Sequence, residues 1–155
     1  FLRARWRSLF RGELREKQDT EVTEEDKQRF HLVLWGTPES NSLVLDAMQN
    51  QEIRTRLNCS WSASTIDFDG EEHDSGNHVL QMIYPNPENP ERYVVLNSGP
   101  TFRPAHDRTN SLQNPKLPDW VVLSLETSPN TEAAGTVKAC GFFDDTWRFS
   151  KQFTW

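Results

Sequence analysis

VLQMIYPNPENPERYVVLNSGPT, which runs from Val79 to Thr101, is the stretch of sequence that decides the fold. Val79–Tyr84 and Tyr93–Asn97 are apolar runs typical of strands. The linker between them, PNPENPER, has three prolines. Each proline fixes φ and removes a backbone donor, so we expect neither a helix nor a central strand to continue through the linker. The second run ends in Asn97-Ser98-Gly99, a sharp exit at the carboxyl end of a strand, where α/β sheets bind ligands.

Three other apolar runs predict strands at Phe30–Trp35, Trp120–Glu126 and Val137–Phe143. They are almost continuously apolar, as in strands of parallel sheets that are buried on both faces. The sequence therefore predicts a three-layer α/β domain of the Rossmann-like or flavodoxin-like kind, with a mostly parallel sheet of about five strands and helices on both faces. The gap from Tyr84 to Tyr93 is too short for a helical crossover, so these two strands could instead be an antiparallel pair, or the sheet could skip a position there.

The amino-terminal part of the chain predicts helices. Phe1–Lys17 carries an apolar stripe at three- and four-residue spacing, with arginines between. It could be a basic helix for an acidic partner, a solvated face, or a connector that packs on a neighbouring domain. Thr23 predicts an N-cap for a short helix that ends near Arg29. We divide the chain into a helical connector, residues 1–29, and a single α/β domain, residues 30–155. Because it begins at Phe1 rather than Met, we expect a piece of a longer polypeptide.

Composition limits the classes of function. The chain has 155 residues and a net charge of −6, which gives no general reason to bind nucleic acid or an anionic membrane. No run approaches the ~18 apolar residues of a membrane span. Cys59 and Cys140 are far apart and form neither a CxxC pair nor a disulfide framework, and their redox state stays open.

The segment from Asn58 to Asn77 is rich in carboxylates, including DFDGEEHD at residues 67–74. Its spacing does not match a calcium loop, and we predict no metal site. Asp69-Gly70 is instead typical of the turn of a short β-hairpin. The chain has no nucleotide-binding glycine fingerprint, and we predict no cofactor.

The sequence offers one set of catalytic candidates. There is no GxSxG motif, but Ser98 lies at a predicted strand-end turn. By residue type alone, His106 and Asp144 would complete a Ser-His-Asp catalytic triad with it. Nothing local marks Ser98 as an activated nucleophile, so we expect no catalysis by the isolated chain.

Other polar residues cluster at predicted strand ends and form a candidate binding site for a small anionic, sugar or peptide ligand. Free amide groups after a glycine turn could hold an anion. For each of the asparagines, the competing interpretation is a structural turn or cap. The candidates are Gly36, Ser40, Asn41, Asn86, Asn97, Ser98, Thr101 and Arg103.

Three pieces carry a resemblance: FHLVLWGTPESNSLV (residues 30–44), IYPNPENPERYVVLNSGPTF (83–102) and DWVVL with CGFFDDTWR (119–123 and 140–148). They resemble the C-terminal accessory domain of planctomycete-type prolyl oligopeptidase- and esterase-like α/β-hydrolases, and more distantly S-layer-associated domains. The resemblance implies a non-catalytic domain of a secreted or envelope-associated hydrolase, extracellular or periplasmic. Its partner would be a hydrolase domain of the same polypeptide. The accessory domain would pack on that hydrolase domain or shape substrate access to it.

Overall fold

A computed structural model describes residues 2–98, 118–127 and 135–155. The helices are α1 (Leu2–Phe10), α2 (Glu24–Arg29), α3 (Ser42–Gln49) and α4 (Gln51–Leu57). The strands are β1 (Leu32–Trp35), β2 (Cys59–Trp61), β3 (Thr65–Phe68), β4 (Glu71–Asp74), β5 (His78–Asn86), β6 (Asn89–Asn97), β7 (Trp120–Ser124) and β8 (Thr136–Gly141). They form a five-stranded sheet in the order β1-β6-β5-β7-β8 and a three-stranded sheet in the order β2-β3-β4.

The five-stranded sheet is mostly antiparallel. Only β1 and β6 run parallel, while β6-β5, β5-β7 and β7-β8 are antiparallel pairs. The predicted mostly parallel, Rossmann-like sheet is therefore wrong. Asn86 pairs with Asn89, so the turn between β5 and β6 is only two residues long, and such a short connection can join only antiparallel strands. The antiparallel alternative for these two strands is the observed one.

The prolines of the linker do not end the strands, contrary to the prediction. β5 continues through Pro85, and β6 begins at Asn89. β7 pairs with β5 only as far as Met82. Because Pro85 lies beyond the end of this pairing, its missing N–H removes no hydrogen bond between β5 and β7. Residues 90–92 have no partner on β5, so Pro90 lies in an irregular part of the pairing.

The main hydrophobic core lies on one face of the large sheet, which we call the core face. Buried residues of α3, α4 and the small sheet join Leu80, Met82 and Leu96 in a single cluster there. No described helix contributes a buried residue to the opposite, outer face, where Val79, Val121 and Leu123 form a smaller cluster. The predicted helices on both faces are therefore wrong for the described residues.

β1 is an edge strand rather than a strand buried on both faces. Among the described strands it pairs only with β6, and its outer-face residues Val33 and Trp35 are 49% and 41% exposed. Leu34 faces the core and is buried. The apolar run FHLVLW thus belongs to a strand whose outer face carries large exposed apolar side chains.

The amino-terminal helix is shorter than predicted. α1 ends at Phe10, because Arg11 adopts a left-handed conformation with φ of 53°. The chain then turns back, and Arg3 and Arg7 pair with Glu16 and Glu13.

The two local motifs predicted from short-range chemistry are confirmed. Thr23 caps α2, since its hydroxyl accepts from the Asp26 N–H at 3.2 Å while the Asp26 carboxylate accepts from the Thr23 N–H at 2.9 Å. The β3–β4 hairpin turns at Asp69 and Gly70, which have φ values of 54° and 84°, as a type I′ turn requires.

Within the described ranges no helix is long and apolar enough to cross a membrane. Both cysteines are free thiols: Cys59 is buried in the core, and Cys140 is partly buried. Burial raises the pKa of the Cys59 thiol, so it stays protonated and behaves as a small core residue.

Candidate functional site

The parallel pairing of β1 and β6 brings part of the predicted site together. Trp35 lies opposite Asn97 in the register, so the turn after β1 and the end of β6 lie at the same edge of the sheet. That turn contains Gly36, Ser40 and Asn41, and Ser98 follows Asn97 directly. We call these five residues, Gly36, Ser40, Asn41, Asn97 and Ser98, the strand-end cluster.

The turn after β1 uses its polar side chains to hold itself. Gly36 has φ of 114°, and a Cβ there would lie 2.6 Å from the Ser40 hydroxyl oxygen. The Ser40 hydroxyl accepts a hydrogen bond from the Thr37 N–H at 2.9 Å. Asn41 caps α3 through bonds from the N–H groups of residues 43 and 44, and donates to the Trp35 carbonyl at 3.0 Å. These bonds join strand, turn and helix.

Ser98 extends the sheet with its side chain. Its hydroxyl donates to the Leu80 carbonyl at 2.5 Å and accepts from the Leu80 N–H at 2.8 Å. Both partners are backbone groups of β5, and neither can remove a proton as a general base does. His106, the histidine of the predicted triad, lies outside the described residues, as do Thr101 and Arg103.

Asp144 lies at the other end of the sheet from Ser98. β8 runs in the same direction as β5, so the segment after β8 leaves towards the carboxyl end of β5, whereas Ser98 bonds to Leu80 near its amino end. The Asp144 carboxylate accepts from the Arg148 N–H at 2.9 Å and from the Thr146 N–H and hydroxyl at 2.8 Å each. These bonds, the one from Arg148 first, lower the pKa of Asp144.

Asn86 also lies away from the strand-end cluster, at the β5–β6 turn. Its amide donates to the Lys27 carbonyl at 2.8 Å, and its oxygen accepts from the Glu88 N–H at 3.0 Å. The side chain is buried. Asn86 therefore ties α2 to the hairpin.

The outer face carries a buried amide that the sequence reasoning missed. Gln81 of β5 lies opposite Asn97 of β6, and the two side chains are 4% and 5% exposed. The Gln81 amide makes no hydrogen bond with any residue the structure describes, and a buried amide in that state costs about 1–3 kcal/mol. The sequence signal was a single amide inside the apolar run VLQMIY.

An open groove of about 550 Å³ separates α3 and α4 from β2. Its size is within the range of ligand pockets. This groove was not predicted, because the sequence of β2 shows no strand pattern. Its lining consists of Pro38, Glu39, Leu45, Met48, Gln49, Arg54, Ser60, Trp61, Ser62 and Ala63.

A smaller cavity, of about 120 Å³, lies where α4 meets the prolines of the β5–β6 turn. Tyr84 lines it, and its hydroxyl has no hydrogen-bond partner among the described residues. Burial raises the pKa of the Tyr84 phenol, so this group stays neutral. In the described part of the chain, no group of three or more His, Cys, Asp or Glu side chains is placed to hold a metal ion.

Comparisons with family models, with curated proteins and with solved structures found no match for this chain.

Proposed function

We propose that this chain is a non-catalytic accessory domain that acts by contact with another domain. The observation that supports this best is the Ser98 hydroxyl, whose two hydrogen bonds both go to the Leu80 backbone. Ser40, Asn41, Asn86 and Asp144 likewise serve turns and caps. Polar residues used in this way stabilise the fold and leave little chemistry for catalysis.

The contact surface we propose is the outer face of β1. Val33 and Trp35 lie two residues apart on that face, beside Val95 and Asn97 of β6. Tyr93, also on the β6 outer face, is exposed. Adjacent exposed apolar side chains of this kind are typical of protein contact sites, and aromatic residues commonly anchor them.

The identity of the partner comes from the motif resemblance alone. We propose a hydrolase domain of the same polypeptide, of the prolyl oligopeptidase or esterase type, in an extracellular or periplasmic protein. The domain would pack on that hydrolase or shape substrate access to it.

The first test separates structure from catalysis at Ser98. We expect the purified chain to hydrolyse neither p-nitrophenyl acetate nor a chromogenic proline peptide above the buffer rate. Ser98→Ala leaves the Leu80 N–H without its partner, while the Leu80 carbonyl keeps only the Ser98 N–H at 3.3 Å, so the substitution should lower the free energy of unfolding by about 1–3 kcal/mol. The matched control, Ser8→Ala in exposed helix α1, should change it by less than about 0.5 kcal/mol. Hydrolysis that Ser98→Ala abolishes would overturn the proposal.

The second test concerns the contact surface. The natural polypeptide that contains this chain is produced, and its hydrolase domain is titrated with the chain in a calorimeter. Trp35→Asp should weaken binding at least tenfold, because a carboxylate would be buried in an apolar contact. Val137→Asp, an exposed site on β8 at the far edge of the sheet, is the control and should bind normally. If the natural polypeptide contains no hydrolase domain, the proposal that the partner is a hydrolase domain of the same polypeptide is wrong.

The buried amide pair favours a second candidate, a binding module on the outer face. Gln81 can donate and accept, as a sugar hydroxyl or a peptide group requires. Saturation-transfer NMR against a panel of sugars and short peptides would detect such a ligand. Binding that persists in Gln81→Leu would remove Gln81 from the site.

A further inference from the structure

β2 is an edge strand with an unpaired side. The small sheet has the order β2-β3-β4, so β3 covers one side of β2, and no described strand pairs with the other. An open strand edge is a template for a further strand. The proposed accessory role makes no use of this edge.

The register shows which backbone groups point to the open side. The Ser62 N–H donates to the Thr65 carbonyl, and the Asp69 N–H donates to the Asn58 carbonyl. Residues that bond to the partner strand alternate in an antiparallel ladder. Asn58, Ser60 and Ser62 therefore bond towards β3, and the N–H and carbonyl groups of Cys59 and Trp61 point away from it. These groups make no hydrogen bond to a described residue.

The groove between α3, α4 and β2 runs along this open edge. Its lining includes the consecutive residues Ser60, Trp61 and Ser62. Side chains alternate between the two faces of a strand, so a groove lined by consecutive residues follows the edge and not one face. The unpaired N–H and carbonyl groups of Trp61 therefore lie at the groove, whereas Cys59 is not among its lining residues.

The chemistry of the lining defines the occupant. Met48 and Trp61 form a buried apolar floor, and Leu45 is a partly exposed wall, 38% accessible. The Trp61 indole N–H is buried and has no hydrogen-bond partner in the described residues. Arg54 is exposed and forms no ion pair with a described residue, so its guanidinium is available for a carboxylate. Glu39 is the other charged residue of the lining.

We propose that this groove binds an extended peptide segment of a partner protein, which adds to β2 as a further strand. An apolar side chain of the peptide lies against Leu45, Met48 and Trp61, and a peptide carboxylate pairs with Arg54. The N–H and carbonyl groups of Trp61 bond to one residue of the peptide, and the backbone groups of the next peptide residue point away from β2. This pairing is how β-augmentation combines affinity with side-chain selection.

A second copy of this chain fits the groove less well. Self-association through one patch requires a self-complementary surface. Here β2 lies inside a concave groove, with α3 on the other wall. Two copies would therefore place one concave surface against another, and the two β2 edges would not meet. A slender extended peptide reaches the edge that a folded copy does not.

The experiment begins with random six-residue peptides that have free carboxyl termini. They are selected on the full chain and counter-selected on Leu45→Asp. We expect the retained peptides to share an apolar position and a carboxylate, and to bind in fluorescence anisotropy with micromolar affinity. In ¹⁵N spectra of the full chain, the amide signal of Trp61 should shift on binding.

Alternate N-methylation of the best peptide tests strand addition directly. Methylation of a residue that bonds to β2 removes a donor and should weaken binding more than tenfold, while methylation of the next residue should have little effect. Arg54→Gln should weaken binding about tenfold, because a charge-assisted hydrogen bond is lost. Val137→Asp, on β8 of the other sheet, serves as the control and should bind like the wild type.

Three outcomes would overturn the proposal. One is that no peptide is retained above the Leu45→Asp background at millimolar concentration. Another is binding that is equally tolerant of methylation at every position, which would show apolar docking without strand pairing. The third is a concentration-dependent dimer that Leu45→Asp abolishes, which would assign the groove to a second copy. Circular dichroism and thermal melts of each variant confirm that a loss of binding is not a loss of fold.

Discussion

At the scale of single residues, the turn after β1 depends on Gly36. Its φ of 114° lies in a region that residues with a side chain rarely adopt. The sequence predicted a tight turn here correctly, from one glycine between a strand and a helix. It left open whether the polar residues beyond the glycine bind a ligand or hold the turn, because side-chain hydrogen bonds depend on coordinates that no residue pattern supplies.

We predict that Gly36→Ala lowers the free energy of unfolding by about 1–3 kcal/mol, as expected for a side chain held in a disfavoured region of φ. Urea denaturation measures the change. Gly12→Ala is the control: the nearest atom to its added Cβ is 3.9 Å away, so the change should stay within about 0.5 kcal/mol.

A second comparison separates the two causes of the Gly36→Ala effect. The added Cβ would lie 2.6 Å from the Ser40 hydroxyl, and Ser40→Ala removes that contact while the φ strain remains. If Gly36→Ala costs as much in the Ser40→Ala protein as in the wild type, the strain is conformational. Equal stability of Gly36→Ala and wild type would contradict the role given to Gly36.

Among the helices, strands and turns, the sequence predicted correctly those that are set by residues close together in the chain. The α2 cap follows from Thr23 and Asp26, three residues apart, and the β3–β4 turn follows from Asp69-Gly70. α1 was predicted too long because its apolar spacing continues past Arg11, where the backbone turns left-handed. β2 was not predicted because its three residues, Cys59–Trp61, are too few to show the two-residue alternation of apolar and polar side chains that is typical of a strand. The groove beside β2 could not be predicted without it.

The α2 cap predicts a specific dependence of stability on pH. The pKa of Asp26 is lowered from 3.8 to about 2, first by the hydrogen bond from Lys17 and then by those from Thr23. A lowered folded-state pKa stabilises the fold at pH values above the unfolded-state pKa, and that contribution is lost as the pH falls through the folded-state pKa. Asp26 should therefore contribute fully above about pH 4, and its contribution should vanish near pH 2.

The measurement compares wild type with Asp26→Asn by urea denaturation between pH 6 and pH 2. The variant should be less stable at pH 6, and the two proteins should converge as the pH approaches 2. Glu25→Gln, next to Asp26 but outside the capping bonds, is the control. A difference that is constant across this pH range would show that the charge of Asp26 does not act through the cap.

At the scale of the whole molecule, the sheet order was beyond the reach of the sequence. β7 is buried along its whole length, as predicted, but both its neighbours are antiparallel. Burial on both faces therefore indicates that a strand is central in the sheet. It does not indicate the direction of the neighbouring strands. The relative direction of β5 and β6 is set by a two-residue turn that contains Pro87, and the short gap between these strands left the antiparallel pairing open as an alternative.

The boundary between connector and domain, predicted at residues 29 and 30, is the last feature at this scale. None of the α1 side chains that the structure describes belongs to either core cluster, and two of them form ion pairs with Glu13 and Glu16. In contrast, the carbonyl groups of Lys27, Gln28 and Arg29 accept hydrogen bonds from Asn86, Asn89 and Arg92 of the β5–β6 hairpin. We therefore expect α2 to be needed for the stability of the domain, and α1 to be dispensable.

Two truncations test this expectation. Removal of residues 1–16 deletes surface ion pairs and the contact of Arg15 with the Phe30 ring, so the free energy of unfolding should fall by no more than about 1 kcal/mol. Removal of residues 1–29 leaves the buried Asn86 side-chain N–H unpaired and deletes three further hydrogen bonds to the hairpin. It should lower stability by roughly 3 kcal/mol or more. If residues 30–155 prove as stable as the full chain, α2 belongs to the connector, and its hydrogen bonds to the hairpin contribute no net stability.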